Sequence, residues 1–366
     1  MFHTLDSFDT EFSADSIEWC PANSFKDIFV CGTYQLIKEN EATLDESEAL
    51  KRLGRIYMFR VVDNGCLVLL QKLEVPAVLD MKWAHVIYQN KILLGVVNSL
   101  GYLQVYQLKN DEGKEALQLL TEKKISHDEE VIALSLDWCT GRWMDNNDSH
   151  SKIVVSDSKG FVTLFEINEN ELNVINLWPM HKFEAWIAVF DYWDTNVIYT
   201  GGDDCKFQSF DTRMGTYPII LSKIHGAGVT SIHSNAKKEF LLSTGSYDET
   251  LRLWDTRHLK RPVSETNLGG GVWRLKWDPF TRKYLLAACM YGGFRIIDCE
   301  RTDAPSVIGE YNEHESIAYG CDWSFLNSAE IAKQILGTEV QNVSLIGTCS
   351  FYDHVLKLSV TYLNND

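Results

Sequence analysis

Several aromatic side chains of this sequence stand near carboxylates, at places where a predicted strand begins or a tight turn follows. The aromatic residues are Trp186 in EAWIAV, Tyr247 in GSYDE, Trp273 in GGGVWRLKW, Tyr319 in SIAYGCDW and Tyr352 in SFYDH, and Asp203 in GGDD adds a carboxylate. If these positions converge, the rings would hold a quaternary ammonium group, because each ring attracts a cation by ~0.5–2 kcal/mol. The alternative is an ordinary protein-binding rim, where Tyr and Trp are enriched.

Four residues near the same positions could transfer protons in a reaction, and they are His181, Glu184, Asp203 and His354. His181 lies two residues further from the next strand than a histidine that only stabilises a repeat, so we expect it to be free for chemistry. Asp204 and His354 have a simpler alternative as turn residues, and Glu184 has one as a solvated loop residue. The sequence contains no GxSxG, HExxH, Walker or GxGxxG motif. We therefore expect no metal and no cofactor.

An internal repeat supplies the elements that would bring these residues to one opening. The recurring aromatic positions are Trp19, Trp83, Trp138, Trp277 and Trp323, with Tyr192 in the corresponding place. Each is followed by an apolar run, a turn and an alternating strand. Self-similarity with a period of roughly forty to sixty residues is typical of repeat architectures.

The clearest copy, residues 225–257, combines GVTSIHS with LLSTGSYDETLRLWDTR and has the pattern of a WD repeat, a four-stranded propeller blade. His225, Thr244, Asp248 and Trp254 have the spacing of the hydrogen-bonded tetrad of such a blade. Buried polar groups need partners, so we interpret this set as structural rather than catalytic. His314 stands in the same register and has the same interpretation.

The repeats predict an all-β chain, a seven-bladed WD-repeat β-propeller that forms a single domain over residues 1–366. The blades are expected at about 14–61, 75–108, 131–167, 184–213, 225–257, 268–299 and 314–362. Residues 1–13 alternate like a strand, and we expect them to close the ring against the last blade.

Four charged or polar segments interrupt the repeats, at 39–52, 109–124, 140–150 and 327–342. The first three read as solvated loops between strands. The last has apolar residues at helical spacing and predicts a short helix.

Composition limits the partners and the compartment. The net charge of −17 argues against a nucleic-acid backbone, which requires clustered Lys and Arg, and favours a basic protein partner. No apolar run approaches the ~18 residues of a membrane span, and the N-terminus lacks the pattern of a signal peptide. Nine cysteines without a CxxC pair indicate a reducing compartment. We expect a monomer that is cytoplasmic and possibly also nuclear, without membrane association.

The later blades contain the strings HKFEAWIAVFDYW, YTGGDDCKFQSFDTR, TGSYDETLRLWDTR, GGGVWRLKWDPF, LLAACMYGGFRI, AYGCDWS and GTCSFYDHVLKL, and the segments YTGGDDCK, GGGVWRLKW and CSFYDH within them are not generic to WD repeats. These strings resemble the blade motifs of the diphthine methylesterase family, with weaker matches at GRIYMFRV, VLDMKWAH and LLGVVNSLG. The resemblance implies an enzyme of diphthamide biosynthesis that hydrolyses the methyl ester of over-methylated diphthine on a modified histidine of translation elongation factor 2.

The implied substrate carries a trimethylammonium group next to the ester carbonyl. The resemblance therefore assigns Trp186, Tyr247, Trp273, Tyr319 and Tyr352 to an aromatic cage, and His181, Glu184, Asp203, Asp204 and His354 to acid–base candidates. General-base attack by water is the simplest mechanism. Arg274 or a backbone amide of the 269–271 glycine run could stabilise the oxyanion, although strand alternation after Trp273 would turn Arg274 away from the opening, and the glycines could instead serve a close backbone approach.

Two interpretations without catalysis remain. The chain could be a WD-repeat scaffold, for example a ubiquitin-ligase substrate receptor, since DTR at 211–213 and 255–257 resembles a string of such receptors. It could also be an adaptor that binds the modified elongation factor while another protein hydrolyses the ester.

Overall fold

A computed structural model describes residues 2–37, 51–142, 151–215, 218–338 and 340–363. Within these ranges the chain forms seven antiparallel four-stranded sheets, arranged as the blades of a β-propeller. The predicted all-β, seven-bladed fold is confirmed. The innermost strands of successive blades lie side by side around a central channel.

The strands are numbered in chain order. Strand β1 (Phe2–Asp9) is followed by blade one, with β2 (Ser13–Trp19), β3 (Ile28–Ile37), β4 (Lys51–Val62) and β5 (Cys66–Pro76), and by blade two, with β6 (Val78–Trp83), β7 (Ile92–Asn98), β8 (Tyr102–Asp111) and β9 (Lys114–Lys124). Blade three contains β10 (Ala133–Trp138), β11 (Ser151–Asp157), β12 (Phe161–Asn168) and β13 (Glu171–Pro179), and blade four contains β14 (Ile187–Phe190), β15 (Val197–Gly201), β16 (Phe207–Asp211) and β17 (Ile220–Ser222).

Blade five contains β18 (Val229–Ser234), β19 (Leu241–Ser246), β20 (Thr250–Asp255) and β21 (Ser264–Asn267), and blade six contains β22 (Arg274–Trp277), β23 (Tyr284–Ala288), β24 (Phe294–Asp298) and β25 (Ser306–Tyr311). Blade seven contains β26 (Ala318–Trp323), β27 (Val343–Ser350) and β28 (Val355–Tyr362), and β1 is its outermost strand. Short 3₁₀ turns occupy Asn23–Phe25 and Asp63–Gly65.

The ring closes without a covalent bond. β1 runs antiparallel to β28, from the pair Phe2 and Thr361 to the pair Asp9 and Val355. The N-terminal segment thus completes the blade built from the C-terminal end of the chain.

The recurring tryptophans end the inner strands and connect neighbouring blades. Trp19, Trp83, Trp138, Trp277 and Trp323 are the last residues of β2, β6, β10, β22 and β26. Four of their indole N–H groups donate to a carbonyl of the preceding inner strand: Trp83 to Glu18 (3.1 Å), Trp138 to Lys82 (2.8 Å), Trp277 to His233 (3.2 Å) and Trp323 to Lys276 (2.9 Å). The repeat therefore marks contacts between blades as well as the core of each blade.

The placement of Tyr192 in this series was wrong. Phe190 ends β14, and Ser234 ends β18. Tyr192 lies two residues beyond β14, where its hydroxyl approaches Asp137 at 3.5 Å. The string AVFDYWD offers three aromatic residues within four positions, so sequence alone does not identify the one that ends the strand.

The predicted blade ranges were too short, because they omit the outermost strands. β5, β13, β17, β21 and β25 lie wholly or mostly outside those ranges, and the predicted loop at 109–124 is the end of β8 together with β9. β9 reads KEALQLLTEKK, and only one of its residues is buried. An outer strand buries little of either face, so its sequence lacks the alternation that reveals inner strands.

The remaining predicted insertions have different outcomes. Residues 327–342 include the predicted helix: Asn327 and Glu330 form a capping box for α1 (Ser328–Glu330), which continues as a π-helical turn at Ile331–Leu336. Most of 39–52 and of 140–150 lies outside the described residues. In the described part of the chain, no helix is long and apolar enough to cross a membrane.

Candidate functional site

One side chain from each blade lines a cavity in the upper part of the central channel. These seven residues, called here the upper ring, are Asp15, Leu79, Leu134, Trp186, Thr230, Trp273 and Tyr319; Arg274 also lines the cavity. Each member of the ring precedes the last residue of its inner strand by four positions. The channel therefore displays equivalent backbone positions with different side chains.

A local irregularity of the backbone directs these side chains inward. In blades one, two, three, five and seven the strand register shifts at the ring residue, for example between Ala14 and Ser16 around Asp15. Such β-bulges leave one residue unpaired and re-aim its side chain. In blades four and six, Trp186 and Trp273 directly precede β14 and β22.

The aromatic residues predicted to form a cage come together in the structure. Trp273 is their centre, with ring centroids 5.7 Å from Trp186, 5.8 Å from Tyr247 and 4.5 Å from Tyr319. Trp186 meets Tyr247 edge to face at 6.3 Å. Four of the five predicted rings thus form one continuous cluster at the upper opening.

Tyr352 lies at the outer end of this cluster. Its ring contacts Phe351 at 5.1 Å, and Phe351 in turn lies 5.0 Å from Tyr319. Tyr352 is 69% exposed, so it faces solvent rather than the cavity. Sequence reasoning missed Phe351, although it directly precedes the Tyr352 that was selected.

Two carboxylates border the cluster at the opening. Asp203 Oδ1 accepts a hydrogen bond from Trp186 Nε1 at 3.0 Å, which fixes the orientation of that indole. Burial raises the pKa of the Tyr247 hydroxyl, and the negative charges of Asp203 and Glu184 raise it further. Both carboxylates therefore lie near enough to Tyr247 to act on its hydroxyl.

Gly228 allows this arrangement. A Cβ atom at this position would lie 2.8 Å from Asp203 Oδ1 and 3.1 Å from a ring carbon of Tyr247. Any larger residue would push the carboxylate or the ring away, so the close approach requires glycine.

The expectation that His181 is free for chemistry was wrong. Its side chain is buried, with Nδ1 2.8 Å from Asp204 Oδ1 and Nε2 3.0 Å from Thr200 Oγ1. Although burial opposes it, hydrogen bonds from His181 and Lys206 hold the pKa of Asp204 well below its usual range. The loop before β14 folds back over the blade, so the longer sequence spacing still brings His181 into the structural network.

His354 occupies a turn rather than the cavity. Its φ of 59° is left-handed, like those of Cys205 and Glu249 at equivalent turns of blades four and five. Its carbonyl accepts hydrogen bonds from the backbone N–H and the hydroxyl of Thr10. His354 is therefore a turn residue, and it does not line the cavity.

Asp15 and Arg274 are the polar groups that sequence reasoning missed or misplaced. Asp15 is 3% exposed, and its Oδ1 has no hydrogen-bond partner among the described residues. Arg274 was expected to point away from the opening, yet it lines the cavity and contacts Asp80 Oδ1 through Nη1 at 3.1 Å. The prediction for Arg274 assumed that side chains alternate from Trp273 onward, but β22 begins only at Arg274, so Trp273 does not belong to the alternating strand.

A simple signal in the sequence could have identified Asp15. In blade six, the residue four positions before the repeated Trp277 is Trp273, and in blade seven the residue four positions before Trp323 is Tyr319. The same count in blade one, from Trp19, leads to Asp15.

The glycine run 269–271 serves backbone packing. A Cβ on Gly270 would lie 2.1 Å from the carbonyl oxygen of Cys289. The amide of Gly269 already donates to the Asn267 side chain at 2.9 Å. This close approach matches the alternative reading of the run rather than an oxyanion site.

The lower half of the channel holds a second layer of polar side chains, which is rich in internal ion pairs. Its members include Glu18, Lys82, His233, Lys276 and Asp322. Lys276 pairs with Glu18 and lies 3.8 Å from Asp322, while Lys82 pairs with Asp137 at 3.2 Å. Removing one member of a buried ion pair would leave its partner as an uncompensated charge, so we interpret these mutually paired side chains as structural. Among the described residues, no group of three His, Cys, Asp or Glu side chains could hold a metal ion.

Comparison with known proteins places the chain beside one set of relatives. It is 42% identical over 332 residues to a mouse protein named diphthine methyltransferase, covering 88% of this chain and 69% of the relative. The human protein of that name is 40% identical, covering 88% and 75% of the two chains, and the Dictyostelium discoideum homologue is 36% identical, covering 95% and 96%. No protein-family model matches the chain.

Among solved structures, a chain of a mitotic checkpoint complex superposes with a TM-score of 0.69 at 16% identity, covering 99% of this chain and 94% of that one. This likeness shows the propeller fold alone.

Proposed function

This chain belongs to the diphthine methyltransferase family, and we propose that it is the carboxylic ester hydrolase that removes the methyl ester from diphthine methyl ester on translation elongation factor 2. The reaction frees the carboxylate of diphthine and is a step of diphthamide biosynthesis. The substrate is a protein side chain, and the chain acts on it as a monomer.

The aromatic cluster at the upper opening carries this proposal. The substrate presents a trimethylammonium group beside the ester, and a quaternary ammonium group cannot donate a hydrogen bond. Cation–π attraction to several rings, with carboxylates nearby, is the chemistry that recognises such a group. Trp186, Trp273, Tyr247 and Tyr319 provide contiguous rings, and Asp203 lies beside Trp186.

The placement of the cluster suits a substrate that remains attached to a protein. The rings line the upper opening of the channel, while exposed Tyr352 extends the aromatic surface outward. A modified side chain can enter the cavity while the elongation factor stays outside. The net charge of −17 favours a partner with a basic docking surface.

Hydrolysis then requires a water molecule and a base near the ester carbonyl. Of the four catalytic candidates proposed from the sequence, Glu184 and Asp203 lie at the opening and remain acid–base candidates. His181 belongs to a structural network, and His354 belongs to a turn.

The alternative of a ubiquitin-ligase scaffold gains no support from the DTR strings. Their arginines are engaged locally, since Arg257 pairs with Asp255 at 2.6 Å and Arg213 contacts both Asp211 and Asp194. An adaptor without catalysis would use the same cluster, and only an activity measurement separates it from the enzyme.

The test is to incubate the purified chain with elongation factor 2 that carries diphthine methyl ester. We expect release of methanol and loss of one CH₂ from the mass of the elongation factor. Binding without methanol release would favour the adaptor. If the chain neither binds the elongation factor nor releases methanol, the proposed function is refuted. A mock purification from cells lacking the chain controls for contaminating esterases.

A further inference from the structure

We propose that Asp15 is the general base of this ester hydrolysis and that Arg274 stabilises the oxyanion formed in it. The inference rests on the proposed function and adds two catalytic residues at a defined depth in the channel. They lie in the cavity beneath the aromatic cluster that would hold the cation.

The upper ring provides the first argument. At the seven equivalent positions, the chain places two leucines, two tryptophans, a tyrosine, a threonine and one carboxylate. Thr230 is engaged, because its hydroxyl donates to the carbonyl of Val272. Asp15 is thus the one ionisable carboxylic acid of the ring, in a site otherwise suited to apolar side chains.

The second argument is the cost of this carboxylate. Asp15 is 3% exposed and its Oδ1 is unpartnered among the described residues. A buried polar atom without a partner costs ~1–3 kcal/mol, and leucine at the same place in blades two and three carries no such cost. A buried carboxylate that faces a cavity, and whose oxygen is free to accept a hydrogen bond, is arranged to bind a molecule that enters the cavity.

Arg274 and Trp273 supply hydrogen-bond donors in the same cavity. Arg274 is held by Asp80 at 3.1 Å and lines the same cavity. Trp273 Nε1 is buried without a partner among the described residues. A guanidinium and an indole N–H can together stabilise the negative charge that develops on the carbonyl oxygen.

The proposed reaction balances with water as the only co-reactant. The Asp15 carboxylate removes a proton from water as the water oxygen bonds to the ester carbonyl carbon, and the carbonyl electron pair moves to the oxyanion beside Arg274. The oxyanion then collapses, the bond to the methoxy oxygen breaks, and the Asp15 carboxylic acid returns its proton to that oxygen. Methanol leaves, and the new carboxylic acid ionises into solvent.

The surroundings of Asp15 predict the pH dependence of this step. Burial raises the pKa of Asp15 well above its usual range, Arg274 opposes the shift, and Asp80 adds to it. Tyr319 and Cys349 also face this carboxylate. Because a base must be ionised, kcat/KM should rise with pH at values above those of an ordinary aspartate, near 3.9. A bound trimethylammonium group favours the ionised form, so the corresponding rise in kcat should occur at lower pH.

The closing experiment compares wild type with Asp15→Asn, using elongation factor 2 that carries either diphthine methyl ester or the trimethylated acid product. We expect Asp15→Asn to lose ~10²–10⁴-fold in kcat while its affinity for the trimethylated product falls by less than about tenfold. Asp128→Asn, which removes an exposed carboxylate in the loop before β10, is the matched control and should retain full activity.

Each outcome separates the two proposals. An active wild type with an equally active Asp15→Asn variant overturns the role of Asp15 and leaves the proposed function standing. An inactive wild type overturns the proposed function and this inference together. If Asp15→Asn does not fold, the pH profile of the wild type decides, because a kcat/KM that is flat from pH 5 to pH 8 overturns the role of Asp15.

Discussion

At the scale of single residues, Trp273 is the centre of the aromatic cluster that we propose for recognition, because its ring contacts Trp186, Tyr247 and Tyr319. Its place in the upper ring is the one that Leu79 and Leu134 occupy in other blades. The fold therefore tolerates an aliphatic side chain at this position, and we propose that the indole serves to bind the group that enters the cavity.

Replacing Trp273 by alanine should weaken binding of the trimethylated side chain by roughly 2- to 30-fold, because one ring contributes ~0.5–2 kcal/mol of cation–π attraction. The measurement is the Kd for diphthine-bearing elongation factor 2, set beside that for a neutral analogue with a tert-butyl group. The preference for the cation should shrink in Trp273→Ala.

Trp193→Ala is the control for this variant, because Trp193 is also half-buried but packs against Arg142, away from the cavity. Equal losses of affinity for the cation and for its neutral analogue would contradict the cage. Such a result would mean that Trp273 contributes only a fitting shape and no attraction to the positive charge.

The aromatic cluster of the candidate site was predictable from the sequence, whereas the carboxylate in the cavity is marked only by its register within the repeat. The repeated tryptophans already fill the core positions of the blades, so additional Tyr and Trp residues point to another role. Trp186, Trp273 and Tyr319 were identified in this way. Asp15 was missed because SADSIEW by itself does not distinguish a channel-facing carboxylate from a solvated one, and only its register, four residues before Trp19, marks it. The bulge around Asp15 decides which of these side chains turns inward, and a bulge has no fixed sequence pattern.

At the scale of elements, histidines in three blades stabilise the turns that carry the site. His225 Nε2 bonds Thr244 Oγ1 at 2.9 Å, and Trp254 Nε1 donates to the same oxygen at 2.9 Å. Asp248 completes this set through the backbone of Gly226 rather than through His225. Blade four has a direct His181–Asp204 contact instead. The turn aspartate therefore contacts the histidine in blade four, whereas in blade five it contacts the backbone N–H next to the histidine.

These histidines predict a loss of stability in acid. Burial lowers the pKa of His225 and of His314 to about 4, from about 6.5 in the unfolded chain. The unfolded state then binds protons first, so the stabilisation is complete above pH ~6.5 and is lost as the pH falls towards 4. Each histidine contributes up to about 3 kcal/mol to this loss of stability, at ~1.36 kcal/mol per unit of pKa shift.

Urea unfolding between pH 7 and pH 4.5 measures this effect. The free energy of unfolding should fall with acidification in the wild type and fall less steeply in a variant with both His225→Asn and His314→Asn. Identical slopes in the two proteins would show that other groups govern the acid sensitivity.

At the scale of the whole molecule, the seven blades form a ring whose two ends meet in β1 and β28. Phe2 is buried and stacks on Tyr311 of blade six at 4.9 Å, while Asp6 accepts a hydrogen bond from the backbone of Leu67 in blade one at 2.8 Å. The N-terminal strand thus joins three blades. The position of Asp15 near the start of the next strand depends on this closure.

Deleting residues 2–9 should lower the free energy of unfolding by several kcal/mol and lower Tm, because blade seven loses its outer strand. Loss of the buried Phe2 ring alone is typically worth ~3–5 kcal/mol, so Phe2→Ala should produce a large share of the effect. Thermal unfolding followed by circular dichroism gives both values. A deletion variant with unchanged Tm would contradict a structural role for the closure.

The ring architecture was predictable because each blade repeats the same inner-strand pattern, and buried strands must alternate and end in large apolar residues. The outer strands were not, since β9 and β13 are exposed along much of their length and little in their composition is fixed by burial. The repeat pattern alone does not identify the site residues, because seven equivalent positions share one backbone register and only the structure shows which of their side chains meet in the channel.

The most direct measurement of the central claim follows the oxygen atom of water during a single turnover. Wild-type chain in excess is mixed with elongation factor 2 carrying diphthine methyl ester, in water labelled with a heavy oxygen isotope, and both products are weighed by mass spectrometry. Water attack at the ester carbonyl predicts one heavy oxygen in the diphthine carboxylate and none in methanol. Heavy oxygen in methanol, an unlabelled carboxylate, or an ester that remains intact would contradict the account.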